Sequence, residues 1–178
     1  MIHLRDATLT DTPAIARVHV DAWRTTYRGL LPADYLANLS YAEREQQWQR
    51  ALAADSPTRL IVATSEGGEV IGFVAGGPER SGDLGCTGEL YAIYLLAEYQ
   101  RQGIGRRLTH ALVRQLRADN FASMAVWVLA DNPARHFYEA LGGVALRAQA
   151  ITIGSATLNE LAYGWADLAE LEAALAKP

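Results

Sequence analysis

Apolar residues recur along this chain first at helical spacing and then in strand-like runs, and the switch between the two divides it into elements. Ile2, Leu4 and Ala7 mark a short first strand. Ile15, Val18, His19 and Ala22 follow at helical spacing, a face that Trp23 and Tyr27 continue. Thr10 or Asp11 can cap this helix, and Pro13 is tolerated in its first turn. Gly29-Leu30-Leu31-Pro32 breaks it. Further helical segments are predicted around Tyr35 to Leu39 and from about Ala42 to Ala54. The pattern then switches to strands. Thr58 to Thr64 and Val70 to Ala75 form a hairpin across the turn Ser65-Glu66-Gly67-Gly68. Gly76 to Gly85 reads as a loop and Thr87 to Leu95 as the next strand. Ala125 to Leu129 is continuously apolar, as a central strand is. A helix starts at Asp131-Asn132-Pro133, runs through Tyr138 and Leu141, and ends at Gly142-Gly143. Val144 to Ile153 and Thr157 to Trp165 form a closing pair of strands. Asp167 to Ala176 is an alanine- and leucine-rich helical tail. The expected fold is one mixed α/β domain over residues 1–178, a central sheet flanked by helices, with 167–178 as the tail.

The junction after Leu95 carries the first chemical signal. Tyr99-Gln100-Arg101-Gln102-Gly103-Ile104-Gly105-Arg106 joins an apolar strand to an amphipathic helix bearing Leu108, Leu112, Val113 and Leu116. Glycines there allow backbone angles closed to other residues and let a ligand approach the main chain. The first N–H groups of the helix point into the turn without intrahelical partners, an arrangement that suits phosphate. Arg101, Arg106 and Arg107 add positive charge. Two glycines in a turn are also simply a helix start. The chain has neither GxGxxG at this helix nor GxxxxGK[ST], so the motifs of dinucleotide enzymes and P-loop kinases are missing.

Composition narrows the partners. The chain has 178 residues, a formal net charge of −4 and a pI near 5.5, which argues against broad nucleic-acid affinity. No apolar stretch reaches the length of a membrane span, and the N-terminus lacks the apolar region of a secretory signal. Cys86 is the sole cysteine, so no intrachain disulfide forms, and a reducing cytoplasm fits best. No histidines stand at metal-ligand spacing, so no metal is expected.

The order of elements and several local words together resemble the GCN5-related N-acetyltransferase (GNAT) superfamily, through most of the chain. Gln100-x-x-Gly103-x-Gly105 is similar to that family's pyrophosphate loop. Asn132-Pro133-Ala134-Arg135-His136-Phe137-Tyr138-Glu139-Ala140-Leu141-Gly142 is similar to the segment after its fifth strand. Ala22-Trp23-Arg24-x-x-Tyr27-Arg28-Gly29-Leu30-Leu31-Pro32 and Tyr163-Gly164-Trp165-x-Asp167-Leu168 resemble a small-amine branch. Two departures stand out. Asn132 precedes Tyr138 by six residues where many members have seven, a place held here by Asp131, so either side chain could face the cofactor arm. Gly143 stands where many relatives carry an aromatic residue.

The resemblance implies a mostly antiparallel sheet with one splayed pair of parallel strands and acetyl-coenzyme A in the cleft between them. It implies that the main chain of Ile93, Tyr94 and Leu95 pairs with the pantetheine arm. The pyrophosphate is held along Gln100, Arg101, Gln102, Gly103, Ile104, Gly105 and Arg106, with Asn132 near the arm. The implied activity is direct transfer of an acetyl group to a primary amine of a small molecule. A peptide or protein N-terminus is the alternative acceptor, and a non-catalytic acyl-coenzyme A-binding module is the alternative to an enzyme. No nucleic acid, membrane or metal is implied, and a homodimer stays open.

Acyl transfer to an amine needs a neutral nitrogen, a donor for the developing oxyanion and a proton for the departing thiolate. Tyr138 matches the family's proton donor. A main-chain N–H near Leu95 can serve the oxyanion. Glu89, at the start of the strand feeding the glycine turn, is the first candidate to take the amine proton; pairing with a basic residue is its other reading. Glu160 and Asp131 are weaker candidates. Cys86 is not read as a nucleophile. Trp23, Tyr27 and Leu31 are expected to line the acceptor pocket, completed by Tyr163 and Trp165. Arg24 and Arg28 are placed to pair with a carboxylate on the acceptor.

Overall fold

The computed structural model describes residues 1–177. Seven strands form one sheet: β1 (His3–Asp6), β2 (Arg59–Thr64), β3 (Val70–Pro78), β4 (Gly88–Leu95), β5 (Met124–Leu129), β6 (Val144–Ile153) and β7 (Ala156–Trp165). Their order is β1-β2-β3-β4-β5-β7-β6, and every neighbouring pair is antiparallel except β4 and β5. The helices are α1 (Thr12–Thr26), α2 (Ala33–Ala37), α3 (Tyr41–Ala51), α4 (Ile104–Ala118), α5 (Arg135–Ala140) and α6 (Leu168–Leu175). The mixed sheet with flanking helices is the architecture expected. Residue 178, the last of the expected tail, lies outside the described residues.

Side-chain alternation sorts the sheet into two faces. On one, α4 presents Ile104, Leu108, Leu112 and Leu116 to Ile61, Ile71, Val74, Leu90 and Val126, and α6 closes the same layer with Leu168, Leu171 and Leu175. On the other, α1 and α3 set Ile15, Val18 and Trp48 against Leu60, Val62 and Phe73. A third cluster gathers Tyr27, Leu31, Leu36 and Leu129, where the α1–α2 turn meets the end of β5.

Side-chain caps start two of the six helices. Ser40 accepts the Glu43 N–H at the start of α3, and Asp167 accepts those of Ala169 and Glu170 at the start of α6. Asp11 does not cap α1 with its side chain. Its carboxylate instead takes both terminal nitrogens of Arg5 (2.7 Å each) and the Thr8 N–H (2.8 Å), closing the turn that precedes the helix. The α2 helix begins at Ala33, two residues before the expected start, directly after Pro32. The α3 helix stops at Ala51, short of Ala54.

The feature that positions the site is an interruption in the sheet. The parallel pairing of β4 and β5 covers only Gly88↔Met124, Glu89↔Ala125 and Leu90↔Val126. Beyond it β4 stays with β3 as far as Gly72↔Leu95, while β5 stays with β7 as far as Leu129↔Glu160. At the same level the β3–β4 register jumps from Ala75↔Ala92 to Gly76↔Leu90, which leaves Tyr91 as the extra residue of a bulge. The two strands therefore part, and the gap between them is open.

Candidate active site

The gap is a cleft of about 780 Å³ that runs from Gly103, Gly105 and Arg106 on the α4 side to Tyr27 and Trp127 on the other. One of its walls is the free edge of β4. The Leu96 N–H donates to Ile71 O (3.0 Å), toward β3. Main-chain groups alternate along a strand, so those of Tyr94 also face β3, and those of Ile93 and Leu95 face the cleft. The Leu95 carbonyl confirms this orientation by accepting Gln100 Nε2 (3.1 Å) across the strand end. The main chain of Tyr94, expected in the cleft with its neighbours, is thus committed to the sheet. Tyr94 still borders the cleft, with its ring stacked on His19 at 5.1 Å between centroids.

The cleft's far end is a nest of donors. From Arg101 through Arg106 no main-chain N–H has an acceptor among the described residues; the first to find one is Arg107, which donates to Gly103 O (3.1 Å). Arg101 (φ 58°) and Gly103 (φ 75°) are both left-handed, which turns successive N–H groups inward and places them at the positive end of α4. The Gly105 Cα faces the cleft, and a Cβ there would lie 3.5 Å from the Phe137 ring. Side chains around this nest serve the fold. Gln102 Nε2 donates to Glu98 O (2.9 Å), and Arg106 Nη2 donates to Ala174 O (2.6 Å) and Lys177 O (3.1 Å), holding the end of α6. The main chain, and not the Arg106 side chain, is what remains free for an anion. An extended polar edge leading to a cluster of unpaired N–H groups fits an amide-bearing arm that ends in a pyrophosphate.

Opposite β4, the Asn132-Pro133 turn and α5 bring Asn132 and Tyr138 to the cleft. Asn132 is buried and its Oδ1 accepts the Ala134 N–H (2.9 Å); Asp131 is exposed and absent from the cleft lining. Of the two residues left open by the spacing, Asn132 is the one that faces the cleft. Tyr138 is 6 % exposed, and burial pushes its hydroxyl well above the ordinary range, with Tyr27 close enough to add to the effect. Burial also raises the Tyr27 and Tyr94 hydroxyls. All three stay protonated at any working pH, as a proton donor must. His136, expected on another face of the helix from Tyr138, also borders the cleft; it is exposed and pairs with Glu139 (2.8 Å).

Trp23, Tyr27 and Leu31 pack together, with Tyr35 and Leu129 beside them, but of the three expected to line the acceptor pocket only Tyr27 reaches the cleft lining. Trp23 packs on Tyr27 at 4.8 Å, and its buried Nε1 leans toward the Tyr94 hydroxyl without meeting hydrogen-bond geometry. Four other expectations are corrected. Tyr163 and Trp165 do not reach this wall. Alternation along β7 turns both to the α4 face, where the Tyr163 hydroxyl donates to Glu139 Oε1 (2.6 Å) and Trp165 Nε1 to Leu141 O (2.9 Å). Arg24 is not free for an acceptor carboxylate, because its guanidinium caps α2 through the carbonyls of Leu36, Ala37 and Leu39. Glu89 is 2 % exposed and absent from the cleft lining. Both its oxygens are taken by Arg80, through Nη2, Nε (3.0 Å) and the main-chain N–H (3.1 Å). A carboxylate so paired anchors the β3–β4 loop, and a role as proton acceptor does not follow from this geometry.

Tyr91 and Trp127 line the cleft and were not singled out from sequence. Burial pushes the Tyr91 hydroxyl up to about 12, and it donates to Pro78 O (2.6 Å) while Arg80 lies over its ring at 4.4 Å. A bulge position carries no mark in sequence. Trp127 sits in an uninterrupted apolar run that gives no sign of which side chains meet a gap.

Comparison with known proteins agrees with this geometry. The profile of the Acetyltransferase (GNAT) family matches residues 19–143. The chain is 43 % identical, over 98 % of its length and 99 % of the relative's, to the uncharacterized N-acetyltransferase YuaI of Bacillus subtilis (strain 168). It is 29 % identical, over 74 % of its length and 73 % of the relative's, to an L-methionine sulfoximine/L-methionine sulfone acetyltransferase of Pseudomonas paraeruginosa. The crystal structure of PaiA N-acetyltransferase from Thermoplasma acidophilum in complex with coenzyme A shares the fold. Its TM-score is 0.67 at 18 % identity, over 90 % of this chain and 98 % of that one.

Proposed function

Because the chain belongs to the GNAT acetyltransferase family, we propose that it transfers the acetyl group of acetyl-coenzyme A directly to the primary amine of a small molecule. The observation that carries this reading is the parting of β4 from β5, with the free edge of Ile93 and Leu95 leading to the unpaired N–H groups of Arg101 to Arg106. Acetyl-coenzyme A supplies an activated thioester. The β4 edge aligns the arm in strand fashion, and the nest holds the pyrophosphate. The nitrogen–carbon bond forms as the carbon–sulfur bond breaks. A cleft-facing N–H of β4 donates to the oxyanion, and the Tyr138 hydroxyl gives its proton to the departing sulfur. The ammonium proton leaves through cleft water, since Glu89 is engaged by Arg80.

Support for a small acceptor comes from the relative named for acetylating methionine sulfoximine, a free amino-acid analogue. The test is thiol release from acetyl-coenzyme A against a panel of small amines, aminoglycosides, polyamines and peptides, run beside calorimetry with coenzyme A. Amine-dependent release with a small-molecule preference is expected. Turnover confined to peptide N-termini would reject the acceptor class, and tight coenzyme A binding with no turnover on any amine would reject the enzyme.

A further inference from the structure

Three tyrosines from three elements border the cleft: Tyr27 at the end of α1, Tyr94 on β4 and Tyr138 on α5. The Tyr27 hydroxyl leans toward the Tyr94 hydroxyl and the Asn132 amide, and Trp23 Nε1 leans toward Tyr94, all short of full hydrogen-bond geometry. Among the described residues, Trp23 Nε1 is the one buried side-chain nitrogen or oxygen with no partner. Buried polar groups are nearly always paired. A loose set at a cleft wall fits catalytic groups, whose hydrogen bonds tighten when the reacting atoms arrive.

The chemistry of the end groups fixes the direction of this set. An indole N–H only donates, so Trp23 directs its hydrogen to the Tyr94 oxygen, and the Tyr94 hydrogen is left for Tyr27. Asn132 Oδ1 is taken by the Ala134 N–H, so its Nδ2 is the group turned to Tyr27, and it too donates. The Tyr27 oxygen thus faces two donors. Its own hydrogen is turned to the side that remains, where Tyr138 lies close enough to feel its charge. Burial raises the Tyr27 hydroxyl, and the two donors draw it back down. Burial also raises Tyr94 and Tyr138, and the Tyr27 charge raises both further. Of the three, Tyr27 is the readiest to release its proton, and its phenolate is the best held.

We propose that Tyr27 is a second proton-carrying hydroxyl of the reaction, passing a proton from the acceptor nitrogen to Tyr138. Tyr27 stands at the end of the cleft away from the nest, with Ala22 and Thr26 of α1 beside it in the lining. The acceptor first loses one proton to cleft water and attacks as a neutral amine. The nitrogen–carbon bond then forms as the carbon–sulfur bond breaks. In the same step Tyr138 gives its hydrogen to the sulfur, and Tyr27 gives its own to the Tyr138 oxygen, across no more than one water. The surplus proton of the nitrogen goes to Tyr27. The products are an amide and a free thiol, and both tyrosines end protonated. This rests on the acetyltransferase reading above and deepens it.

The experiment uses the full chain with acetyl-coenzyme A and the amine of the panel above that it turns over fastest. It reads single-turnover rates of thiol release, beside titration calorimetry with coenzyme A. Tyr27→Phe should slow the rate roughly 10²–10⁴-fold and leave coenzyme A affinity nearly intact. Tyr27→Phe combined with Tyr138→Phe should be no slower than Tyr138→Phe alone, because members of one relay fail together, whereas independent roles multiply. A second readout needs no variant: the parent's rate in mixtures of light and heavy water should follow a bowed line, since several protons move in one step. A folded Tyr27→Phe protein with the parent's rate, losses that multiply in the double variant, or a straight line in the parent each overturns the relay and leaves the acetyltransferase reading standing. A parent that releases no thiol with any amine overturns both.

Discussion

Replacing Gly105 by alanine separates ligand binding from folding, because the structure predicts opposite signs for the two. Gly105 is the second residue of α4, and an added Cβ meets the Phe137 ring at 3.5 Å and Leu95 Cδ1 at 3.9 Å, both ordinary contacts. The fold therefore accepts the methyl group. Alanine in a helix is favoured over glycine by up to about 1 kcal/mol, which for a domain of this size raises Tm by roughly 1–4 °C. The same Cβ enters the cleft beside the unpaired N–H groups, where the pyrophosphate must approach the main chain. Losing one charge-assisted hydrogen bond costs about 1.5–3 kcal/mol, which is roughly 10- to 150-fold in Kd. Gly103→Ala is the contrast. Its Cβ would meet nothing within 4 Å, but φ is 75°, so the backbone loses roughly 1–2 kcal/mol and Tm falls. Differential scanning calorimetry and titration calorimetry with coenzyme A, on both variants, give the four numbers. A Gly105→Ala protein that binds coenzyme A like the parent, or that loses stability and affinity together, would refute the reasoning.

Three other substitutions probe different links. Tyr138→Phe should lower kcat by roughly 10²–10⁴-fold with coenzyme A affinity nearly intact, and normal turnover in a folded variant would return Tyr138 to a packing role. Glu89→Gln should cost about 1–3 kcal/mol of stability through the lost Arg80 pair and leave the pH–rate profile in place; loss of activity chiefly at low pH would restore Glu89 as the proton acceptor. His19 is held at a pKa of about 3, first by burial and then by the Arg44 charge, with Nδ1 accepting Trp48 Nε1 (3.2 Å). Its folded pKa lies below the unfolded value of about 6.5, so the unfolded chain binds the extra proton between the two. Stability is full above about pH 7 and falls as pH drops through that window, by about 2 kcal/mol at pH 5. Urea unfolding at pH 7 and pH 5 should show that loss in the parent and not in His19→Gln, and equal losses in both would contradict the assignment.

What the sequence made legible was local. The glycine turn, the helix behind it and the Asn132-to-Tyr138 segment are short-range words, and their chemistry is set by neighbours a few residues away. The packing of Trp23, Tyr27 and Leu31 was readable for the same reason, since the end of α1 and the turn after it carry all three. What was not legible depended on distant partners or on strand parity. Arg80 reaches Glu89 only because the β3–β4 loop folds back over the bulge, and Arg24 is consumed by carbonyls twelve to fifteen residues away. Tyr163 has the composition of a pocket residue, but its position along β7 sends it to the α4 face.

The account's central claim is that the free edge of β4 and the nest before α4 together hold the cofactor. Amide hydrogen exchange, followed residue by residue with and without saturating coenzyme A, tests it most directly. The N–H groups of Ile93 and Leu95 and those from Arg101 to Arg106 exchange freely in the unliganded chain and should become protected together on binding, while the Tyr94 N–H, already committed to β3, should change little. Saturation that leaves those amides unprotected, or that protects a surface outside the β4–β5 cleft, would contradict it.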